Sequence, residues 1–559
     1  MRKISYIIKL FTLLALFSLP ACDLLDKDID TDLTKEQVFS DDRLAPGFLY
    51  SAYREIINGY NRIDGGVMFA CASDEAISSN SGSSIHAYNK GSINPMNNPE
   101  EEIWGRMYTG IRKANMFLGE LDKTIQEAGL IDQTNTTRAN YRRMRGEALF
   151  LRAYYHFELA KRWGNIQLVD TVLTEKTVLD VKQSTFTEAI RFIVNDCDSA
   201  LFYMDALASS IPDDRLGRAS AKSALALKSR ALLYLASPWN NHSGDKELWK
   251  EAADVAFFLI SNASSAGIAL VPDRLAAAMP NIDYITSAYN REVLFASQYE
   301  LYNFIEQYNF PPSFGGRGYT NPTQDLVDCF DMQGTQVFDP NNPYARRDLR
   351  FHLYFYYNGQ EPIRNRPDSV FTYVGGKDGI GRSATATKTG YYMRKFTDFS
   401  LNLSRDERAR RGWIHFRFAE IILNYCEAKN ESLEIGEDAL VTDATIYQQL
   451  NRLRTRAGVA TYAANTLTKE KMREAIHKER RVELAFEEHR FWDVRRWKQG
   501  MKYFNGPIHG MEIHKTEDGS YTYNRIEVEN RVYNPNMDWY PIPYAELLKN
   551  PKLKQNPGW

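Results

Sequence analysis

Met144-Arg145-Gly146-Glu147-Ala148-Leu149-Phe150-Leu151-Arg152-Ala153-Tyr154-Tyr155-His156-Phe157-Glu158-Leu159 is the stretch from which the fold is read. Met144, Ala148, Leu151, Tyr155 and Leu159 follow one another in steps of 4, 3, 4 and 4, which places them on one stripe of an α-helix and on both faces of a strand. The rhythm returns at Ala224, Leu227, Ala231 and Tyr234, and again at Phe418, Ile421, Tyr425 and Ala428. Alanines within each stripe allow a neighbouring helix to come close.

Long helices with small and aromatic residues at these offsets predict tetratricopeptide-like pairs. Their period is uneven: Tyr155 to Tyr234 is 79 residues and Tyr234 to Tyr425 is 191, so insertions separate the pairs. The largest runs from about Gly267 to Arg411 and is rich in Gly, Pro, Asn and aromatics, with strand-like pieces such as Phe351 to Tyr357. A smaller irregular stretch covers Ser78 to Pro99. Loops this long inside a compact domain are usually functional, so both are candidates for the working surface.

The amino terminus sets the compartment. Arg2, Lys3 and Lys9 precede an apolar run from Leu10 to Leu19, too short to span a bilayer and suited to a signal peptide. Leu19-Pro20-Ala21-Cys22 looks like a bacterial lipobox, which makes Cys22 the lipidated first residue of the mature chain. Asp23 to Leu33 reads as a polar tether. Its alternating Asp26, Asp28, Asp30 and Asp32 resemble a calcium loop, but Thr31 stands where Gly is needed and Gln37 where Glu is needed. Thr34-Lys35-Glu36-Gln37 has capping-box spacing and opens the folded body. The predicted organisation is a signal peptide (1–21), an acidic tether (22–33), a helical part (34–266), an irregular lobe (267–412), and further helices with a terminal cap (413–559).

Composition excludes several functions. The 69 Lys and Arg against 71 Asp and Glu leave a net charge of −2, without the basic excess a nucleic-acid binder needs. Cys71, Cys197, Cys329 and Cys426 are dispersed and suit small buried hydrophobes rather than a disulfide scaffold or zinc site. The nine histidines form no H-E-x-x-H, so neither metal nor cofactor is expected. Gly376 to Ser383 approaches P-loop spacing, but Arg382 replaces the lysine and alternating threonines follow instead of a helix. Asp74-Glu75 and Glu487-Glu488 offer carboxylates without a defined pair across a cleft. The densest run, Glu479 to Asp493, reads as a helix in which Arg and Glu three or four apart staple one another, with an anion site on its arginines as the alternative.

Several segments together resemble the SusD/RagB family of surface lipoproteins. They are Arg145-Gly146-Glu147-Ala148 through Arg152-Ala153-Tyr154-Tyr155 to Arg162-Trp163-Gly164-Asn165; Gly217-Arg218-Ala219 to Tyr234; Arg417-Phe418-Ala419-Glu420 to Glu427-Ala428; Asn451 to Gly458; Glu479 to Trp497; and Tyr540-Pro541-Ile542-Pro543 with Gln555 to Trp559. The resemblance implies a mainly α, right-handed superhelix of tetratricopeptide-like pairs with an irregular ligand-binding lobe. It implies a non-catalytic glycan binder, lipid-anchored on the outer membrane, facing the cell exterior and covering a SusC-like TonB-dependent transporter. The alternatives are a surface glycosidase on a helical scaffold and a transporter lid for peptide or other non-sugar cargo.

A sugar ring has an apolar C–H face and a rim of hydroxyls, so its binder needs flat aromatic platforms edged by Asn, Asp or Arg. The starch-binding member of the family uses tryptophans, and neither irregular stretch contains one. His86, Tyr88, Asn89 and Asn94 occupy the first stretch; Tyr302, Phe304, Tyr308, Phe310, Phe314, Arg317 and Tyr319 occupy the second. The expected platform is Tyr88 with a subset of Tyr302, Tyr308 and Tyr319, edged by Asn94 and Arg317 with His86 nearby. Starch is not favoured as the ligand.

Overall fold

The computed structural model of the chain describes residues 35–39, 44–127, 136–204, 217–271, 291–297, 300–360 and 369–559. The signal segment, Cys22 and the tether lie outside the described residues. The chain divides into two compact units, Met1–Phe48 and Leu49–Trp559. In the first, the rings of Phe39 and Phe48 lie 5.3 Å apart. The elements below belong to the second.

Helices α1 (Glu101–Glu127), α2 (Thr136–Trp163), α3 (Phe186–Tyr203), α4 (Ala221–Ala236) and α5 (Lys246–Ser261) follow in order, each packed on the next. The α2 stripe from Met144 to Leu159 is buried at all five positions. On α1, Gly110 lets the helices close: a Cβ there would sit 2.6 Å from the Tyr155 ring. Thr185 and Glu188 form a capping box that starts α3, satisfying two orphan N–H groups. Helix α4 is buried almost all round, as expected of a central helix.

Residues 262–417 leave this array and return to it. Helix α6 (Phe418–Ser432) packs on α5 and α4, and carries α7 (Ala444–Ala457) and α8 (Lys469–Glu483). Strands β1 (Ala76–Ser78), β2 (Val293–Ala296), β3 (Thr320–Pro322) and β4 (Ile414–Arg417) form two antiparallel pairs, β1 with β3 and β2 with β4. The first pair, in the register Ile77 to Asn321, joins the two irregular stretches. Phe351 to Tyr357 is helical up to Tyr354, and only Phe355 and Tyr356 are strand. The carboxy-terminal part also contains a hairpin, β5 (Gly506–Lys515) with β6 (Tyr521–Arg531), which helical periodicity did not foresee. The last residues fold back on the end of α2: Trp163 Nε1 donates to Pro541 O at 3.0 Å, and Asn556 Nδ2 to Trp163 O at 2.9 Å.

Glu479 to Asp493 differs from expectation. Helix α8 stops at Glu483, the chain turns through Phe486 (φ 65°) and Glu488 (φ 63°), and α9 (His489–Arg496) restarts it. The partners of the run lie mostly far away in sequence. Asp74 holds Arg490 and Arg481 at 2.8 Å; Arg62 holds Glu488 at 2.6 Å; Arg417 spans Glu483, Glu487 and Glu292 at 2.7 to 2.8 Å. Instead of stapling one helix, the run is tied to the amino-terminal part through Arg62 and Asp74 and to the irregular lobe through Arg350, which holds Glu479 and Glu483, and Lys395, which holds Glu487. Cys71, Cys197 and Cys426 are buried, whereas Cys329 is half-buried, with Arg481 Nη1 3.2 Å from its sulfur. No helix among the described residues is long and apolar enough to cross a membrane.

Candidate functional site

The β1–β3 pair sets residues 78–80 beside 318–320. Ser79 N donates to Tyr319 O at 3.2 Å, Tyr319 N to Tyr308 O at 2.7 Å, and Arg317 N to Gln307 O at 2.8 Å. These backbone bonds lock the 317–319 turn against the short helix Phe304–Asn309, which delivers Tyr308. The Tyr308 and Tyr319 rings stack with centroids 5.8 Å apart and planes 19° apart. The Arg317 guanidinium carbon lies 5.5 Å from the first ring and 5.8 Å from the second, and Nη1 donates to the Tyr319 hydroxyl at 3.3 Å. Tyr308 is half-buried, Tyr319 largely buried and Arg317 exposed.

A second loop forms the floor and rim. A Cβ on Gly66 would come 2.5 Å from the Tyr308 ring, so that ring rests on bare backbone, and Gly66 has φ +80°. Asn80 Nδ2 donates to Gly65 O at 3.3 Å, and His86 Nε2 lies 2.9 Å from Asn80 O. His86 therefore joins the same rim through Asn80. Ser79 Oγ lies within hydrogen-bonding distance of Gly318 O and of Thr385 O, which brings the 383–388 loop alongside. Sequence reasoning missed Gly66, Asn80 and Thr385. The Gly65-Gly66 pair was the available signal, since consecutive glycines often mark close backbone approach.

Three expected site residues lie elsewhere. Tyr88 is 3% exposed, enclosed by Phe69, Phe491 and Tyr540, with its hydroxyl donating to Asn98 at 2.7 Å; it has no face to offer a sugar. Asn94 closes its own turn, bridging to Asn97 and accepting from Met96 N at 3.0 Å. Tyr302 lies away from this turn, stacking on Phe304 at 3.9 Å with its other edge against Tyr60. Phe310 and Phe314 belong to the lobe's core with Tyr356 and Tyr392.

The carboxylates considered for hydrolysis are occupied inside the body. Asp74 is held by Arg481 and Arg490, Glu487 by Arg417 and Lys395, and Glu488 by Arg62. Glu75 is buried beside Asp74, and burial together with the Asp74 charge pushes it up to about 8. Among the described residues no group of three or more His, Cys, Asp or Glu could hold a metal ion. A groove of about 410 Å³ lined by Trp104, Tyr108, Ile111 and Leu173 is apolar, and its Trp104 ring already packs edge-on against Trp163.

The family model described as "Starch-binding associating with outer membrane" matches residues 23–235, and the SusD family model matches residues 283–559. The chain belongs to the SusD/RagB family. It is similar to SusD-like protein P2 of Formosa agariphila, 25% identical over 467 residues, covering 80% of this chain and 79% of that one. Its structure resembles a SusD-like protein from Bacteroides fragilis, 26% identical, TM-score 0.76, covering 95% of this chain and 99% of that one. A SusD-like carbohydrate binding protein from the same species, 24% identical, shares the fold with a TM-score of 0.73 over 92% of this chain and all of that one. The segments that carry the SusD/RagB resemblance include buried joints. Glu147 holds Arg218 at 2.8 Å, Arg230 holds Glu420 at 2.6 Å, and Arg162 holds Glu100 at 2.7 Å. None of those segments supplies a residue to the tyrosine–arginine site.

Proposed function

We propose that this chain is a surface glycan-binding lipoprotein. Anchored through a lipid on Cys22 to the outer membrane and facing the cell exterior, it captures an oligosaccharide or polysaccharide and passes it to a SusC-like TonB-dependent transporter without cutting it. The Tyr308–Arg317–Tyr319 arrangement carries the reading: the half-exposed Tyr308 ring, backed by Tyr319, and a guanidinium held on a fixed turn match the apolar face and polar rim of a sugar. The family description, starch-binding and associating with the outer membrane, supports both ligand class and location. The described site has tyrosines and no tryptophan, which favours a glycan other than starch.

Half a tyrosine face covers about 50 Å² of sugar, worth roughly 1.2 kcal/mol or close to tenfold in Kd. Weak binding of this kind suits cargo that must be released. Affinity electrophoresis across a polysaccharide panel is expected to show retardation by at least one glycan, reduced on the order of tenfold by Tyr308→Ala. Gly66→Val, which forces the Tyr308 ring off its floor, is expected to act alike. Retardation by no glycan would overturn the sugar reading in favour of peptide or other non-sugar cargo, and new reducing ends would favour a glycosidase. The anchor has its own readout: the native chain is expected in the membrane fraction, and Cys22→Ser in the soluble fraction. Equal partition of the two would remove the lipid anchor.

A further inference from the structure

We infer that the cargo is an anionic glycan, bearing uronate carboxylates or sulfate esters. The inference rests on the glycan reading above and narrows it. Arg317 is exposed at the centre of the site, and among the described residues it makes no ion pair. Its one side-chain hydrogen bond among the described residues, Nη1 to the Tyr319 hydroxyl at 3.3 Å, leaves most of its five N–H donors for a ligand. Four other arginines of the lobe are committed: Arg347 and Arg394 donate to backbone carbonyls, Arg350 holds Asp348, and Arg411 holds Glu306. A planar guanidinium on a rigid turn is suited to bidentate capture of a carboxylate or sulfate.

Pre-organisation supports this role. Arg317 lies between Gly316 and Gly318, and a Cβ on either would collide, with Phe310 O at 2.3 Å and with the Tyr392 ring at 2.4 Å. The turn thus fits where only glycine fits, and the guanidinium is held close to both tyrosine rings. The adjoining loop adds charge of the same sign. Arg382 and Lys388 are exposed on it, neither ion-paired among the described residues. Lys388 N donates to Asn321 Oδ1 at 3.0 Å, which fixes the loop to β3.

The two carboxylates nearby are oriented by neutral donors, which leave their charge in place. Asp64 accepts from Ser84 N at 3.1 Å and from the Ser84 hydroxyl. Asp378 is buried and accepts from Ser313 N and Oγ at 2.8 Å. A neutral sugar would need one guanidinium N–H for a hydroxyl; it has no use for three unpaired cations on neighbouring loops.

The test uses matched pairs: polygalacturonate against its methyl-esterified form, and a carrageenan against its desulfated backbone. The expected result is binding to one anionic member, weakened on the order of tenfold by neutralising the ligand or by Arg317→Gln, and weakened further by raising salt from 50 to about 500 mM. The uronate and sulfate arms separate the two sources of the oxyanion. Far-UV circular dichroism checks that Arg317→Gln is folded. Equal affinity for charged and neutral partners, or anionic binding indifferent to Arg317→Gln, overturns the inference while leaving the glycan reading intact. Binding to no glycan at all overturns the glycan reading, and this inference with it.

Discussion

Arg417→Met is expected to destabilise the protein by about 3–5 kcal/mol, or to prevent folding. Arg417 ends β4 where the chain re-enters the helical array at α6. It donates to Glu292 at 2.8 Å, to Glu483 at 2.7 Å, to both oxygens of Glu487 at 2.7 and 2.8 Å, and to the Glu483 carbonyl at 2.8 Å. Removing it exposes three buried carboxylates to one another. Arg456 still reaches Glu292 and Glu483, Lys395 still reaches Glu487, and Arg350 still reaches Glu483, which keeps the loss from exceeding this range. The contrast is a surface pair: Lys123 is 64% exposed and lies 3.2 Å from Glu120, so Lys123→Met is expected to change stability by less than about 1 kcal/mol. Urea unfolding of both variants decides it. An Arg417→Met midpoint matching that of Lys123→Met would mean that the ion-pair web joins lobe and array without holding them.

This web explains what could and could not be read in the sequence. The helical stripes were legible because burial on a helix repeats every three or four residues and leaves a local trace. The insertion was legible because the stripes stopped. Inside the irregular stretches there is no period, so a loop tyrosine carries no local sign of its exposure. Tyr88 and Tyr308 both sit among Asn, Gly and Ser. Tyr88 is enclosed by Phe491 and Tyr540, residues more than 400 positions away, while Tyr308 rests on Gly66 and stays half-exposed. The charged run was misread for the same reason. Spacing of three or four permits pairing along a helix, yet Glu483 and Glu487 meet Arg417 instead, and only the tertiary fold decides between them. The family segments mark buried joints, so they identified the scaffold well and the ligand residues not at all.

Acid is expected to unfold the protein steeply below about pH 4.5. His156, His415 and His477 are buried, and burial pulls each down to about 3. At His156, Nδ1 lies 2.9 Å from Arg152 O, and Val169 N donates to Nε2 at 3.2 Å, an arrangement only the neutral ring satisfies. Folded values below the unfolded value of about 6.5 mean stability that is complete above that pH and falls on acidification, by about 1.4 kcal/mol per pH unit per histidine. Two carboxyls act in the opposite sense. Burial pushes Glu306 up to about 7 and Glu75 up to about 8; protonated in the folded state, they add stability as pH drops towards their unfolded value near 4.5. Between pH 6.5 and 4.5 the two sets therefore oppose each other, and the slope is shallow. Below 4.5 the raised carboxyls are protonated in both states and stop contributing. A new set then joins the histidines. Burial works against ionisation of Asp74, Glu100, Glu158 and Glu427, but is outweighed by Arg481 and Arg490, by Arg162 and Arg62, by Lys161 and Arg162, and by Arg496 respectively, holding each at about 2. Their stabilisation is present above the unfolded carboxylate range and is lost as pH falls towards 2. Seven groups then pull in one direction, enough to exceed the roughly 5–15 kcal/mol that holds a typical protein folded. Circular dichroism at stepped pH is expected to show a shallow loss of thermal stability from pH 6.5 to 4.5 and collapse between 4.5 and 2. Native structure persisting at pH 2 would mean that these histidines and ion pairs titrate near their unfolded values, and that the buried web contributes far less than its geometry implies.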